Sequence, residues 1–163
     1  MKSTMKILIT LILLSLTCWA DKLQITDVQA LGALKLQMPE SALEAILGKP
    51  GREGKEVLEA ATGMTVKNRL YPQHGLTFPL GRAEANQGWV VERFKATAPC
   101  QLKTPQGVGI ATPVARLKTL YGSLLEKETS TPSQLVVGSV YGGVIFNIQG
   151  GKVSSIFVGA AAE

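Results

Sequence analysis

The sequence predicts an α+β fold made of two tandem α-β-β-β repeats, in which short helices pack on antiparallel meander sheets. The first observation is a duplication. The stretch Thr104–Gly122 repeats the stretch Ala30–Gly48 at an offset of 74 residues, so that Pro39 falls on Pro113. The second observation is that segments of alternating apolar residues, separated by glycines, follow each copy. Helices this short cannot cover a sheet alone, so the two copies are expected to share one core or one continuous sheet.

The duplication divides the chain into three predicted parts. Residues 1–20 are predicted to be a signal peptide, residues 21–98 the first α/β repeat, and residues 99–163 the second. Removing 20 of the 163 residues leaves 143, which is enough for one ordinary domain or for two very small ones that share a core. We therefore expect the two repeats to form one compact unit.

The amino-terminal segment has the layout of a secretory signal peptide. Lys2 and Lys6 precede an apolar run, Ile7–Leu16, and Ala20 closes the segment with a small residue. The apolar run is short for a bilayer span, which needs about 20 apolar residues. The sequence therefore predicts cleavage after Ala20, a periplasmic or secreted location, and no transmembrane segment in the mature chain.

The mature chain carries a modest charge and one thiol. Without Lys2 and Lys6, 15 of the 17 basic residues remain against 12 acidic ones, a net charge of +3 with no run of lysines or arginines. This charge does not provide the basic footprint of a nucleic-acid binder, so no nucleic-acid partner is expected. Cys100 is the only cysteine after Ala20, so the fold needs an apolar core in place of an intramolecular disulfide. Burial is the expected state of this thiol.

Each copy of the repeat has the start and stop signals of a short helix. Pro39 and Pro113 stand at the predicted starts, where the missing proline N–H has no intrahelical partner. Gly48 and Gly122 stand at the predicted ends, where glycine closes a helix in the left-handed conformation. Apolar residues three and four apart line one face of each helix: Leu43, Ile46 and Leu47 in the first, and Leu117, Leu120 and Tyr121 in the second.

Three strands are predicted after each helix. The first strands cover Met64–Leu70 and Leu135–Tyr141. The second strands alternate apolar residues: Leu76, Phe78 and Leu80 in the first repeat, and Val144, Phe146 and Ile148 in the second. The third strands match at an offset of 63, where Gly88, Val90 and Phe94 fall on Gly151, Val153 and Phe157.

The connections are predicted from their turn residues. Gly150-Gly151 forms a tight hairpin, because glycine supplies the positive φ that two-residue turns need, and the longer loop Gly81–Gln87 takes its place in the first repeat. Asp21–Thr26 is predicted to be a short edge strand. Ser123–Gln134 is polar and is predicted to be a loop. Arg52–Thr62 mixes helix formers with glycines, so no secondary structure is predicted for it.

The chain offers few groups for catalysis or metal binding. His74 is the only histidine, and together with Cys100 it provides no ligand pair at a known metal spacing. Glu40 and Glu44 are spaced as carboxylates on one helix face, and we interpret that face as solvated. The sequence therefore predicts no catalytic residue, no metal site and no cofactor. An enzyme built on His74 and Cys100 is the alternative, and it requires the two residues to lie close together.

The residues predicted to bind a partner are Arg69, Tyr71, Trp89 and Arg93. If Phe94 points toward the helices, strict alternation places Trp89 and Arg93 on the opposite sheet face, and Arg69 and Tyr71 share one face of the preceding strand. An exposed aromatic residue beside arginines is the composition expected at a protein interface. The alternative is that Trp89 belongs to the core, with a register that differs by one residue.

The motifs of the two copies resemble a known superfamily. Each copy joins a proline that opens the helix to a glycine that ends it, followed by a tyrosine, a glycine and a phenylalanine, as in Tyr141–Phe146, and by a Gly-x-Val segment. This pattern resembles the β-lactamase inhibitory protein-like superfamily, whose fold type is shared by the SmpA/OmlA outer-membrane assembly lipoproteins. The resemblance covers residues 30–48, 70–94, 107–122 and 141–157.

The resemblance implies an exported bacterial binding or assembly factor, in which a concave sheet surface grips a partner. The chain lacks the paired cysteines common in the inhibitor and the lipidation signal of the lipoproteins, so no partner-contacting residue is carried over. The sequence thus predicts an exported, non-enzymatic protein that binds another protein through a sheet face. The alternative is an envelope or outer-membrane assembly or structural component, peripherally associated with the envelope, whose deletion should change envelope permeability.

Overall fold

The computed structural model describes residues 23–161, and the predicted signal peptide lies outside them. The helices are α1 (Glu40–Leu47) and α2 (Val114–Tyr121), with short 3₁₀ helices at Ile25–Asp27, Pro72–His74 and Gly122–Leu124. The strands are β1 (Ala30–Leu31), β2 (Leu34–Lys35), β3 (Arg52–Glu53), β4 (Val57–Glu59), β5 (Met64–Tyr71), β6 (Leu76–Arg82), β7 (Val90–Val91), β8 (Phe94–Thr97), β9 (Leu125–Thr131), β10 (Gln134–Val137), β11 (Gly143–Gln149) and β12 (Lys152–Gly159). The predicted α+β class is confirmed.

Ten of these strands form one antiparallel sheet in the order β3-β5-β6-β8-β12-β11-β10-β9, with β4 also paired to β5 and β7 to β6. Strands β1 and β2 form a separate hairpin that precedes α1. The early and late parts of the chain meet where β8 pairs with β12, and Lys95 lies opposite Phe157 at this seam. One continuous sheet therefore runs through both parts of the chain.

The core lies between this sheet and the two helices. Cross-strand partners form a buried row over six strands: Tyr71, Leu76, Ala96, Ile156, Phe146 and Leu135. Leu43 of α1 and Leu117 of α2 are fully buried in the same core. The ring of Tyr121 stacks on that of Phe146 with centroids 5.7 Å apart. Both helices therefore cover the same face of the sheet.

The approach to each helix is fixed to the sheet in the same way. The Gln37 N–H donates to the Val91 carbonyl at 2.7 Å, and the Ala111 N–H donates to the Val153 carbonyl at 2.8 Å. Each valine N–H donates back to the next carbonyl along the chain, in both cases at 2.9 Å. Gln37 and Ala111 have left-handed φ values of 59° and 65°, which non-glycine residues keep only where the surroundings impose them. These hydrogen bonds provide that constraint.

The predicted start and stop residues of the helices are confirmed in part. Pro39 and Pro113 immediately precede α1 and α2, and Gly48 ends α1 with a φ of 75°. Gly122 has a φ of −52°, so it continues the chain into a 3₁₀ turn and does not close α2 in the left-handed conformation. The Gly150-Gly151 hairpin is confirmed, because both glycines have positive φ between the paired strands β11 and β12.

The secondary structure predicted for two segments is wrong. Ser123–Gln134 contains β9, the outermost strand next to β10, where the predicted loop stood. An edge strand has one neighbour and can keep polar side chains in water, so polarity does not argue against it. In the described part of Asp21–Thr26, a 3₁₀ helix begins at Ile25 in place of the predicted strand. The segment Arg52–Thr62, for which no secondary structure was predicted, contains β3 and β4.

The sequence match of the third strands pairs Val90 with Val153. Val91, not Val90, makes the hydrogen bonds that correspond to those of Val153. Val91 and Phe94 are both fully buried although they lie three residues apart, because an irregular step separates β7 from β8. Strict alternation therefore fails across this step.

Within residues 23–161, no helix is long and apolar enough to span a membrane.

Candidate functional site

Two of the predicted binding residues lie on strand β5. Alternation along β5 puts Lys67, Arg69 and Tyr71 on one face, as predicted, and this is the face that the helices cover. Tyr71 is fully buried, and its hydroxyl donates to the Gly48 carbonyl at the end of α1 over 3.3 Å. Arg69 is 7% exposed. These residues hold α1 on the sheet.

Beneath α1 the side chains form a compact ionic cluster, which we define as Lys67, Arg69, Glu40, Glu44 and Glu53. The Lys67 ammonium lies 2.9 Å from a Glu40 oxygen and 3.0 Å from a Glu53 oxygen. The Arg69 guanidinium pairs with the same two carboxylates and with Glu44. Glu40 and Glu44 thus turn toward the sheet, and the interpretation of this helix face as solvated is wrong. Two buried cations are compensated by three carboxylates that retain some contact with water.

Trp89 belongs to the same side of the sheet. It is 9% exposed, and its carbonyl accepts a hydrogen bond of 3.0 Å from the Glu40 N–H. The Lys67 ammonium lies 4.6 Å from the ring centroid and the Arg82 guanidinium 4.3 Å from it, both in the range of cation–π contacts. The Trp89 side chain points toward the core, as in the second of the two alternatives. The ring is shielded by cations and does not lie on an exposed sheet face.

Acidification is expected to weaken the ionic cluster. The hydrogen bond from Lys67 holds the pKa of Glu53 below its ordinary value of 4.5. Since a lowered pKa means that the folded state binds fewer protons than the unfolded chain, this contribution to stability is complete above about pH 5 and is lost as the pH falls through the lowered pKa. When the free energy of unfolding is measured in urea between about pH 7 and pH 3, it should fall more steeply with decreasing pH for wild type than for Glu53→Gln. Glu84→Gln, at an exposed position, is the control and should follow wild type. Equal pH slopes for all three proteins would contradict this account.

Arg93 lies on the other face, which we call the open face: the side of the sheet opposite the helices. Its guanidinium pairs with Glu59 of β4 at 2.8 Å. The hydrogen bond from Arg93 is the main reason that the pKa of Glu59 lies below its ordinary value, and Thr62 adds to it. Arg93 therefore separates in space from Arg69, Tyr71 and Trp89.

A row of side chains crosses the open face. Ladder partners over six strands place in one line Leu70, Thr77, Lys95, Phe157, Ile145 and Val136. Lys95 is exposed and Phe157 half-buried at the middle of this row. Toward β10 the row becomes fully apolar, with Ile145 at 7% exposure and Val136 at 0%. Because Ile145 and Val136 are buried, the exposed part of the row consists of Lys95 with the half-buried Leu70, Thr77 and Phe157.

Shallow hollows lie along the open face. One, of about 360 Å³, is lined by Arg93, Phe157, Ala160 and Ala161. Another, of about 310 Å³, is lined by Arg93, Val66 and Asn68 together with residues of β4. A third, of about 280 Å³, adjoins the row at Leu70 and Thr77. Arg93 borders two of these hollows and is well placed to contact a molecule that lies across them.

Sequence reasoning missed the apolar half of the open face. Phe157 was matched to the inward Phe94, and Ile145 and Val136 were not singled out. The signal was present in the strand GVIFNIQ, residues 143–149, whose apolar residues do not alternate strictly. A continuous apolar run in a strand indicates that both faces are covered or engaged.

The alternative of a cysteine–histidine enzyme requires His74 and Cys100 to lie close together, and both line one cavity on the helix side. Burial raises the pKa of the Cys100 thiol, and a backbone hydrogen bond at Leu102 offsets only part of this effect. A nucleophilic cysteine needs the opposite shift. In the described part of the chain, no hydrogen bond joins the two side chains. They lie together without the activation that such a catalyst needs.

Among residues 23–161, no group of three or more histidine, cysteine, aspartate or glutamate side chains is arranged to hold a metal ion. No protein-family model, curated protein or solved structure matches the chain.

Proposed function

We propose that this chain is an exported, non-enzymatic protein that binds another protein through the open face of its sheet. The observation that carries the proposal is the exposed part of the row, in which Lys95 and the half-buried ring of Phe157 lie side by side on the face that the helices leave uncovered. Aromatic residues and arginine are enriched at protein interfaces, which favours Phe157 and Arg93 as contact residues, whereas lysine is depleted there. Side chains of a partner would fit into the hollows on either side of Arg93.

The predicted binding residues take two roles in this proposal. Arg93 contacts the partner, because it borders the hollows of the open face. Arg69, Tyr71 and Trp89 act indirectly, since their contacts with α1 and with neighbouring cations fix the sheet on which the open face is displayed. The raised pKa of Cys100 supports the non-enzymatic part of the proposal.

We further propose that the two α-β-β-β segments are copies of one ancestral unit. The offset of 74 residues that aligns Pro39 with Pro113 also aligns Gln37 with Ala111, two non-glycine residues with left-handed φ values. The matching hydrogen bonds to Val91 and Val153 support the same correspondence. Such a duplication would explain a wide single sheet that is covered on one face by only two short helices.

Reversing the charge at Lys95 is expected to weaken partner binding about tenfold or more, because a misplaced charge at the centre of an interface is left unpaired. The partner is first isolated by affinity capture on the wild-type protein from an envelope extract of the source organism. Its dissociation constant is then measured for wild type, Lys95→Glu and Lys118→Glu. Lys118 is exposed on α2, so this control makes the same charge change on the helix side and should bind like wild type. Equal affinities for Lys95→Glu and wild type would contradict the proposal.

A further inference from the structure

A deeper cavity lies on the helix side of the molecule, away from the open face. It occupies about 370 Å³ between the end of α1, the start of β6 and the segment that follows β8. Its floor is formed by Leu76 and Cys100, which are 2% and 5% exposed. Leu47 and Leu102 form its walls. The interior is therefore almost entirely apolar.

The mouth of the cavity has a different character. Ile46 of α1 lies at the mouth. Its side chain is apolar and large, yet it is 45% exposed to water. Beside it lie three exposed polar side chains, Gln73, His74 and Gln101. Amide and imidazole N–H groups can donate hydrogen bonds to an acceptor placed at the mouth. An apolar interior with a few polar groups on one side is the usual form of a small-molecule site.

Two lysines flank the cavity lining in the sequence, although neither lines the cavity itself. Lys49 follows the wall residue Leu47 by two positions, and Lys103 follows Leu102 directly. Among residues 23–161 neither lysine takes part in an ion pair. The Lys103 carbonyl accepts a hydrogen bond of 2.8 Å from Gly32, beside Ala33 of the cavity lining, so this segment is fixed at the site. The N–H donors at the mouth and these flanking lysines are the reasons for choosing an anionic head group.

We propose that this cavity binds an amphiphilic carboxylate, with its alkyl tail against Leu76 and Cys100 and its carboxylate beside His74. The volume of about 370 Å³ has room for roughly a dozen water-sized groups. This matches an unbranched carboxylate of medium length, whose methylenes favour burial against an apolar floor. The site shares with the hollows of the open face only Leu76, which also lines the third of them, and it shares neither Lys95 nor Arg93, so this inference does not depend on the proposed function.

The test titrates the full mature chain with decanoate by calorimetry, below the micellar concentration. The expected result is saturable binding of one decanoate per chain. Decyltrimethylammonium, which has the same tail and the opposite charge, should bind about tenfold more weakly or less. Bound decanoate should also slow the modification of Cys100 by N-ethylmaleimide in proportion to occupancy, because the thiol lies in the cavity floor.

Two variants locate the site. Ile46→Glu places a like charge at the mouth and should lower decanoate affinity about tenfold or more. Leu58→Glu makes a similar change at an apolar side chain that is 68% exposed on strand β4, and it should bind like wild type. Ala33→Trp fills the mouth from an exposed turn without a change of charge, and it should also lose binding. Thermal unfolding checks that all three variants fold.

Several results would overturn the inference: no saturable binding of decanoate, equal binding of the two head groups, or unchanged reactivity of Cys100 in the presence of bound decanoate. A folded Ala33→Trp or Ile46→Glu variant that binds decanoate as wild type does would also overturn it.

Discussion

Replacing Arg69 by alanine is expected to lower the free energy of unfolding by about 3 kcal/mol, because removal of one partner from a buried ionic cluster leaves the others uncompensated. The Arg69 side chain is 8% exposed and pairs with Glu40, Glu44 and Glu53. After its removal Lys67 alone would balance three carboxylates. We place the effect at the lower end of the range for buried pairs, since Glu44 and Glu53 remain 39% and 42% exposed.

The matched control is Arg116→Ala. Arg116 is exposed on α2, and alanine is the best helix former, so this change should stay within about 0.5 kcal/mol of wild type. Urea unfolding at neutral pH gives both values. A loss of less than about 1 kcal/mol for Arg69→Ala would show that the cluster is not a buried, mutually dependent unit.

A comparably large loss is expected for Gly75→Ala. Gly75 has a φ of 63°, and a Cβ added there would clash with the Thr97 carbonyl oxygen and lie 2.9 Å from the Cys100 nitrogen. These are backbone atoms, and they are held in place because the Thr97 N–H donates to the Gly75 carbonyl at 2.8 Å. The left-handed φ costs about 1–2 kcal/mol and the clash adds about 1–3 kcal/mol, so a loss of about 3–4 kcal/mol is expected.

Gly63→Ala separates the two contributions. Gly63 has nearly the same conformation, with a φ of 69°, but a Cβ there would meet nothing within 4 Å. Chemical unfolding of this variant should show only the conformational cost of about 1–2 kcal/mol. If Gly63→Ala and Gly75→Ala were equally destabilised, the close approach of the segment that follows β8 to Gly75 would be contradicted.

The sequence contains the signals for local structure more clearly than the side of the sheet on which a residue lies. Pro39, Pro113 and the Gly150-Gly151 pair mark real boundaries, because they act through backbone conformation within a few residues. Alternation correctly grouped Arg69 with Tyr71. Alternation cannot say which of two faces the helices cover, however, and for this strand the covered face is the charged one.

The ionic cluster explains why the covered face was misjudged. Lysine and arginine at alternate positions of a strand are usually solvated, and so are glutamates four apart on a helix. Here the buried cations of Lys67 and Arg69 meet Glu40 and Glu44, which compensate them while keeping some contact with water. The complementary spacing was visible in the sequence, but only the packing of α1 on β5 brings the two sets together.

Trp89 and the open face depend on one irregular step in the chain. The step between β7 and β8 lets Val91 and Phe94 both point inward, which turns Trp89 inward with them and leaves Arg93 on the open face. A sequence rule of strict alternation cannot anticipate such a step.

The central claim is that β8 and β12 join the two parts of the chain so that Lys95 and Phe157 stand side by side on the open face. The most direct measurement is disulfide formation in a Cys100→Ser background that carries Lys95→Cys and Phe157→Cys, read by peptide mapping without reduction. Directly opposed positions bring Cβ atoms within about 5.5 Å, close enough for a disulfide after a small adjustment. The account predicts a bond for this pair and none for Lys95→Cys with Ile145→Cys, which lies one strand further away. A bond in the second pair and none in the first would contradict it.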